Sequence, residues 1–161
     1  MKRDLAVAIA ERVKAQLAPH CNRIEIAGSV RRRKTDPHDI EIVAIPKPYE
    51  VGLFASGIAL VVNQWPKVRG ELPCKYTRRS LPDGIGLDLF FAAPENWGLI
   101  LAIRVGSAFY SHHMLARGWV RNGYKSVDGM LTRDGVAVPV REERDLFRLA
   151  GVPWTEPEER P

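Results

Sequence analysis

The sequence predicts an α+β protein built from two small subdomains. Short apolar runs that end in proline or glycine dominate residues 1–93, which is the pattern of β-strands joined by turns. Helical spacing and one hairpin turn dominate residues 94–161. Because the composition changes near Pro94, we place the boundary between the subdomains at about residue 93.

The bulk composition is typical of a soluble globular protein. The chain has 161 residues, of which 45% are hydrophobic and 27% are charged, so it can form a real core. No apolar run reaches membrane-spanning length, and Cys21 and Cys74 lack metal-ligand spacing. We therefore expect that the chain has no membrane segment. We also expect both thiols to be free and the protein to be intracellular. The net charge of +5 favours a polyanionic partner.

Local patterns predict the elements of the first subdomain in order. Apolar positions at helical spacing predict a helix over residues 3–18, which Pro19 ends. Alternating or apolar runs then predict strands at 24–27, 39–45 and 85–92, a weak helix over 53–65, and a basic strand and turn over 67–81.

The second subdomain is predicted to be mainly helical. Helices are expected over 97–104, from a Ser107 cap to about Arg117, and over 142–149, where Gly151 ends the last one. Residues 130–140 are predicted to form a β-hairpin, because Asp134-Gly135 at their centre is a favoured turn dipeptide.

Three acidic residues interrupt two predicted strands. Side chains of a strand alternate between its faces, so Asp39 and Glu41 share one face while Ile40 and Ile42 enter the core. Asp88 repeats this pattern on the later strand. If the two strands are neighbours, three carboxylates converge, and hard oxygen ligands suit magnesium or manganese. The alternative is that these acids are simply the solvent face of a half-covered sheet.

A possible phosphate-binding turn precedes the first acids. Gly28 permits close approach of the backbone to a phosphate, and Ser29 offers an amide and a hydroxyl. Arg32 offers a guanidinium fork. Taken alone, this turn is weakly specific, and the basic stretch from Lys67 to Arg79 is interpreted as a solvated strand face.

These motifs resemble a known family. Gly28-Ser29-Val30-Arg31-Arg32, followed after six residues by Asp39-Ile40-Glu41, is similar to the palm motif of the family X, or polymerase beta-like, DNA polymerases. The resemblance extends over nearly the whole chain, through 87–90, 93–98, 106–107, 123–124, 131–138, 142–147, 149–154 and 156–160.

The resemblance implies a fold and a set of functional residues in the first subdomain. It implies a nucleotidyltransferase palm over 1–93, with a mixed, mainly antiparallel sheet and flanking helices, and a small helical and hairpin thumb over 94–161. Asp39, Glu41 and Asp88 would bind two Mg²⁺ ions, or Mn²⁺, and Asp88 would accept the proton of the primer 3′-hydroxyl. Ser29 and Arg32 would hold the β- and γ-phosphates of a dNTP, beside Gly28.

In the thumb, the resemblance places Gly106 and Ser107 beside the sugar of the incoming nucleotide. Ser111 and His112 occupy positions of base-contacting residues in polymerase beta. The residues expected to contact DNA are Arg104, His112, Arg117 and Arg121.

His38 resembles a histidine of the end-joining and terminal-transferase branch that contacts the nucleotide or primer end. A loop histidine with a local hydrogen bond is the other interpretation. The chain also departs from the family, with Glu41 where these polymerases have Asp and with Ile103-Arg104-Val105 in place of an aromatic pair before Gly106. Because the chain starts at the first palm helix, we expect a minimal form without lyase and fingers domains.

The predicted function is a DNA polymerase that fills short gaps in repair. Its expected partners are gapped or nicked DNA and a dNTP, and we expect a monomer, cytoplasmic or nucleoid-associated, with a viral origin open. Two alternatives remain: a nucleotidyltransferase with a small-molecule or protein acceptor, and a DNA-binding module whose catalytic site has decayed.

Overall fold

The computed structural model describes residues 1–161, which divide into two units, Met1–Ala92 and Ala93–Pro161. Each unit has its own hydrophobic core. No helix in either unit is long and apolar enough to cross a membrane. Both cysteines are free thiols, as the sequence predicts.

The first unit is built on a five-stranded sheet. Its helices and strands are α1 (Arg3–Leu17), β1 (Cys21–Ile26), α2 (Gly28–Arg31), β2 (Asp39–Pro46), α3 (Ile58–Val62), β3 (Lys67–Arg69), β4 (Tyr76–Ser80) and β5 (Gly86–Phe91). The strand order is β1-β2-β5-β4-β3. The central β2 and β5 are parallel and the other neighbours are antiparallel, so the sheet is mixed, with flanking helices, as predicted.

Alternation along the two central strands buries one face of the sheet. Ile40 and Ile42 of β2 and Leu87 and Leu89 of β5 are fully buried in one cluster with the apolar face of α1. This confirms the side-chain directions predicted for these strands and leaves the opposite face to Asp39, Glu41 and Asp88.

Three local predictions in this unit need correction. The predicted helix over 53–65 is reduced to α3, because Gly57 precedes it with a φ of 60°, outside the helical region. The single stretch predicted over 67–81 is two strands, β3 and β4. The turn predicted at 28–29 continues into the short helix α2.

The second unit is a helical cluster with a small sheet. Its elements are α4 (Trp97–Val105), α5 (Ala108–Tyr110), a π-helical turn (Ser111–Ala116), α6 (Arg117–Arg121), β6 (Lys125–Val127), β7 (Met130–Arg133), β8 (Val136–Val138) and α7 (Glu143–Ala150). The predicted hairpin is β7 and β8, and β6 adds a third strand that the sequence did not reveal. Ser107 caps α5 as predicted, because its side chain accepts a hydrogen bond from the Tyr110 amide.

The end of the chain is fastened to this unit by a buried cation. Arg160 is fully buried, and its guanidinium lies over the rings of Phe147 and Trp154, 4.9 Å and 5.2 Å from their centroids. Its Nη1 atom lies 3.6 Å from a carboxylate oxygen of Glu143. The end of the chain around Arg160 is therefore packed against α7.

Candidate active site

The register of the parallel pair brings the three acids of the first unit together. Glu41 of β2 lies opposite Asp88 of β5, and Asp39 lies opposite Gly86. Residues opposite each other or two apart share one face of a sheet. The structure therefore places Asp39, Glu41 and Asp88 side by side on the face away from the core.

The proximity of these acids affects the pKa values of Asp39 and Glu41. The pKa of Glu41 is raised to about 7, first by burial and then by the negative charges of Asp39 and Asp88, against the opposing charge of Arg32. The pKa of Asp39 is also raised, first by burial and then by the negative charge of Asp88. The three carboxylates are thus close enough for Asp39 and Asp88 to affect the protonation of Glu41.

The Gly28-Ser29 turn closes around Glu41. Gly28 has a φ of 60°, and a Cβ atom added there would lie 1.6 Å from Oε2 of Glu41, so only glycine fits beside this carboxylate. The Ser29 amide donates to the same carboxylate, which opposes the rise in its pKa. The Ser29 hydroxyl oxygen is buried and has no hydrogen-bond partner. A buried hydroxyl without a partner suits a ligand that accepts its hydrogen bond.

Arg32 belongs to the same group. Its pKa is lowered by burial, and the charge of Glu41 acts in the opposite direction. The structure therefore brings Gly28, Ser29, Arg32 and Glu41 together, and the Ser29 amide is directed to Glu41.

Two residues of this site were missed by sequence reasoning. Tyr76 Oη donates to Oδ1 of Asp88 over 2.6 Å, and Nη1 of Arg78 lies 2.5 Å from Oδ2. Both come from β4, in the basic stretch interpreted as a solvated face. That interpretation is wrong for Arg78 and for Arg79, which is 3% exposed. The sequence does contain a signal for this strand. Tyr76 and Arg78 alternate with Thr77 and Arg79, which is the period of a β-strand whose faces differ.

The acidic cluster has the right donors for divalent cations but is not arranged as a finished metal centre. No group of three or more His, Cys, Asp or Glu side chains in the chain is placed to hold a metal ion. Both oxygens of Asp88 are instead engaged by Tyr76 and Arg78. Carboxylate oxygens are the ligands that Mg²⁺ prefers, and the negative charges of Asp39 and Asp88 contribute, after burial, to the raised pKa of Glu41. The residues present therefore fit such a cation.

His38 lies at the edge of this site. Its side chain is 85% exposed, and Nε2 is 3.9 Å from a carboxylate oxygen of Asp36, beyond hydrogen-bond distance. With Arg78 and Gly86 it lines an open cavity of about 700 Å³ in the first unit. His38 thus faces space in which a ligand fits.

In the second unit, both serines at predicted nucleotide contacts already have partners. The Ser107 hydroxyl donates to the Pro161 carbonyl and accepts from the Tyr110 amide. Ser111 is 8% exposed, and its hydroxyl donates to the Ile103 carbonyl over 3.0 Å. Ser111 is therefore inside the unit, where its hydroxyl links the π-helical turn to the last turn of α4. The peptide bond from Gly106 to Ser107 is cis.

The four predicted DNA contacts are solvent-exposed in the second unit: Arg104, His112, Arg117 and Arg121. Arg117 and Arg121 are four residues apart on α6 and so share a face. The positive charges of Arg117 and His112, after desolvation, lower the pKa of His113, which places these groups close together. The ring of the exposed Phe109 lies 4.3 Å from that of His113.

Comparison with known proteins bears on the second unit. A family model described as the DNA polymerase beta thumb matches residues 101–161. No curated protein matches the chain. The thumb match supports a relationship to the polymerase beta-like, family X DNA polymerases and implies that the chain binds DNA. It does not extend to the sheet that carries the three acids.

The raised pKa of Glu41 predicts a pH-dependent stability of the metal-free protein. The pKa is about 7 in the folded chain, against an ordinary value of 4.5. From pH 5 to pH 8 the unfolded chain binds fewer protons than the folded one, so the contribution of Glu41 to stability is lost as the pH rises through 7. Glu41→Gln should remove this loss, which we expect to be about 1–3 kcal/mol.

The free energy of unfolding by urea is measured in the presence of EDTA at pH 5 and at pH 8, for wild type and for Glu41→Gln. Exposed Glu11 on α1 provides the control, because Glu11→Gln makes the same chemical change outside the cluster. Parallel pH profiles for wild type and Glu41→Gln would show that Glu41 is not protonated by this environment.

Proposed function

We propose that the protein is a polymerase beta-like DNA polymerase that adds deoxynucleotides to a primer 3′-hydroxyl and fills short gaps. One observation carries the proposal: the parallel register of β2 and β5 sets three carboxylates beside the Gly28-Ser29 turn. The thumb match of residues 101–161 supports DNA as the polymer that is extended.

In this proposal, Asp39, Glu41 and Asp88 hold two Mg²⁺ or Mn²⁺ ions. When bound, these ions supply charge neutralisation at the triphosphate and lower the pKa of the attacking hydroxyl. Asp88 accepts the proton of the primer 3′-hydroxyl. The bond formed joins the 3′-oxygen to the α-phosphorus of the dNTP, and pyrophosphate carries away the electron pair of the broken bond.

The phosphate contacts are assigned to side chains near Glu41. The Ser29 hydroxyl is buried and without a partner, so it is free to donate to a phosphate oxygen, whereas the Ser29 amide is engaged by Glu41. Arg32 supplies a positive charge beside the same turn. The family resemblance makes His38 of the first unit a proposed nucleotide contact, and it makes Gly106 and Ser107 of the second unit proposed contacts of the nucleotide sugar.

DNA is held through charge in this proposal. Exposed Arg104, His112, Arg117 and Arg121 contact the sugar-phosphate backbone, which positions a duplex without reading its sequence. The substrate proposed here is gapped or nicked DNA, and the proposed binding form is a monomer.

The proposal is tested with Asp88→Asn on a gapped duplex with labelled dNTP and Mg²⁺. The substitution keeps the size of the side chain but removes the charge and the proton acceptor. We expect extension to fall by at least about 10³-fold, with DNA affinity changed less than about threefold. Asp134→Asn makes the same change at an exposed turn with a φ of 51°, which asparagine tolerates, and should extend primers like wild type.

Three other results would contradict the proposal. Extension by Asp88→Asn at the wild-type rate would remove Asp88 from the mechanism. Labelling of a non-nucleic acceptor would support the small-molecule or protein alternative. DNA binding by wild type without incorporation would support the decayed module.

If Arg117 on α6 contacts a DNA phosphate, its removal should change the salt dependence of DNA binding. Arg117→Ala should weaken binding to a gapped duplex several-fold at about 100 mM salt and reduce the slope of log K against log salt by about 0.9, the value for one lost phosphate contact. Fluorescence anisotropy over a salt series measures both quantities.

Lys125→Ala is the control for this prediction, because it removes one exposed positive charge from β6 of the same unit. Its slope should match that of wild type. Equal slopes for all three proteins would contradict a phosphate contact at Arg117.

A further inference from the structure

Arg78 occupies the position where the acidic cluster would meet a cation. It projects from β4 to the neighbouring strand β5, where its Nη1 atom lies 2.5 Å from Oδ2 of Asp88. The same nitrogen lies 3.6 Å from Oδ2 of Asp39 on β2. One guanidinium therefore bridges two of the three carboxylates.

Gly86 makes room for this bridge. It lies two residues before Asp88 and opposite Asp39 in the parallel register. A Cβ atom added at Gly86 would lie 2.6 Å from Nη2 and 3.0 Å from Cζ of Arg78. Any larger residue here would push the guanidinium off its present position, so the strand is shaped around the Arg78 side chain.

Asp88 has no free oxygen while Arg78 is in place. Tyr76 Oη donates to Oδ1 over 2.6 Å, and Arg78 takes Oδ2. The Asp88 side chain is only 9% exposed, whereas that of Arg78 is 35% exposed. The carboxylate is thus fixed in the strand, and the guanidinium is the partner with access to solvent.

We propose that Arg78 is a positioning residue that competes with divalent cations for Asp88 and Asp39 and so sets the metal affinity of the cluster. The inference rests on the proposed function for the identity of the cation, but its test does not require nucleotide transfer. In the metal-free protein, the guanidinium neutralises and orients the two carboxylates. A divalent cation must take their oxygens from Arg78 and is repelled by its charge.

If Arg78 competes with the cation, removing its charge should tighten Mn²⁺ binding. An ion pair that only stabilises the fold predicts no such gain in affinity. Removing the charge in Arg78→Gln should tighten Mn²⁺ binding roughly tenfold, because a single charge a few ångströms away contributes at least that much to the affinity of a doubly charged ion. Arg78→Lys keeps the charge and should bind Mn²⁺ within about threefold of wild type. The free energy of unfolding without metal should fall in Arg78→Gln, and saturating Mn²⁺ should restore it.

Gly86→Ala tests the same idea without changing any charge of the site. The added methyl group displaces only the flexible end of Arg78, and Gly86 has no left-handed φ, so the strand should fold. Mn²⁺ binding by Gly86→Ala should tighten in the same direction as in Arg78→Gln.

The experiment measures Mn²⁺ binding to the full chain by electron paramagnetic resonance, without DNA or nucleotide. Only the binding that Asp88→Asn abolishes is counted as binding to the cluster. Arg69 provides the matched control, because it is exposed on β3 directly opposite Arg78, and Arg69→Gln removes the same charge away from the carboxylates. Circular dichroism confirms that each variant is folded.

Tighter Mn²⁺ binding by Arg78→Gln or Gly86→Ala than by Arg69→Gln supports the inference, including the case in which wild type binds too weakly to detect. Equal or weaker binding by folded Arg78→Gln and Gly86→Ala overturns it, as does the absence of Mn²⁺ binding in every variant. If the variants bind tightly but wild type incorporates no nucleotide, the proposed function fails and the competition at Arg78 stands. If wild type extends primers and the variants show no change in Mn²⁺ affinity, the proposed function stands and the competition at Arg78 fails.

Discussion

The parallel pairing of β2 with β5 is the constraint on which the site depends. Its register sets Glu41 against Asp88 and places Asp39 on the same face. A shift of one residue along either strand would turn its acids into the core and its isoleucines or leucines into solvent. The buried side chains Ile40, Ile42, Leu87 and Leu89 therefore fix the register, and the register fixes the acids.

An acidic cluster held by a rigid sheet has an electrostatic cost that other residues reduce. Arg32 and the Ser29 amide face Glu41, while Arg78 and Tyr76 face Asp88. These contacts do not restore the ordinary pKa of Glu41, which is about 7. Three carboxylates near a buried hydroxyl without a partner are a chemical environment suited to divalent cations and phosphate. The match of residues 101–161 to the polymerase beta thumb implies that the same chain binds DNA.

The sequence predicted those features that depend on neighbours along the chain. Side-chain alternation predicted the faces of β2 and β5, Pro19 predicted the end of α1, and Asp134-Gly135 predicted the hairpin. It did not predict Arg78, since its partner Asp88 lies on a different strand and only the strand order brings them together. The role of Ser111 was also missed, because the hydroxyl bonds to a carbonyl one helical segment earlier. Strand order and helix packing are long-range properties that local patterns do not contain.

The central proposal is that Asp39, Glu41 and Asp88 bind divalent cations beside the Gly28-Ser29 turn. The most direct measurement is anomalous diffraction from crystals of the full chain grown with Mn²⁺ and a non-hydrolysable dNTP analogue. The account predicts anomalous peaks within coordination distance of all three carboxylates and a phosphate at the Ser29 hydroxyl. Nucleotide bound elsewhere, with no peak at the cluster and Arg78 still paired with Asp88, would contradict it.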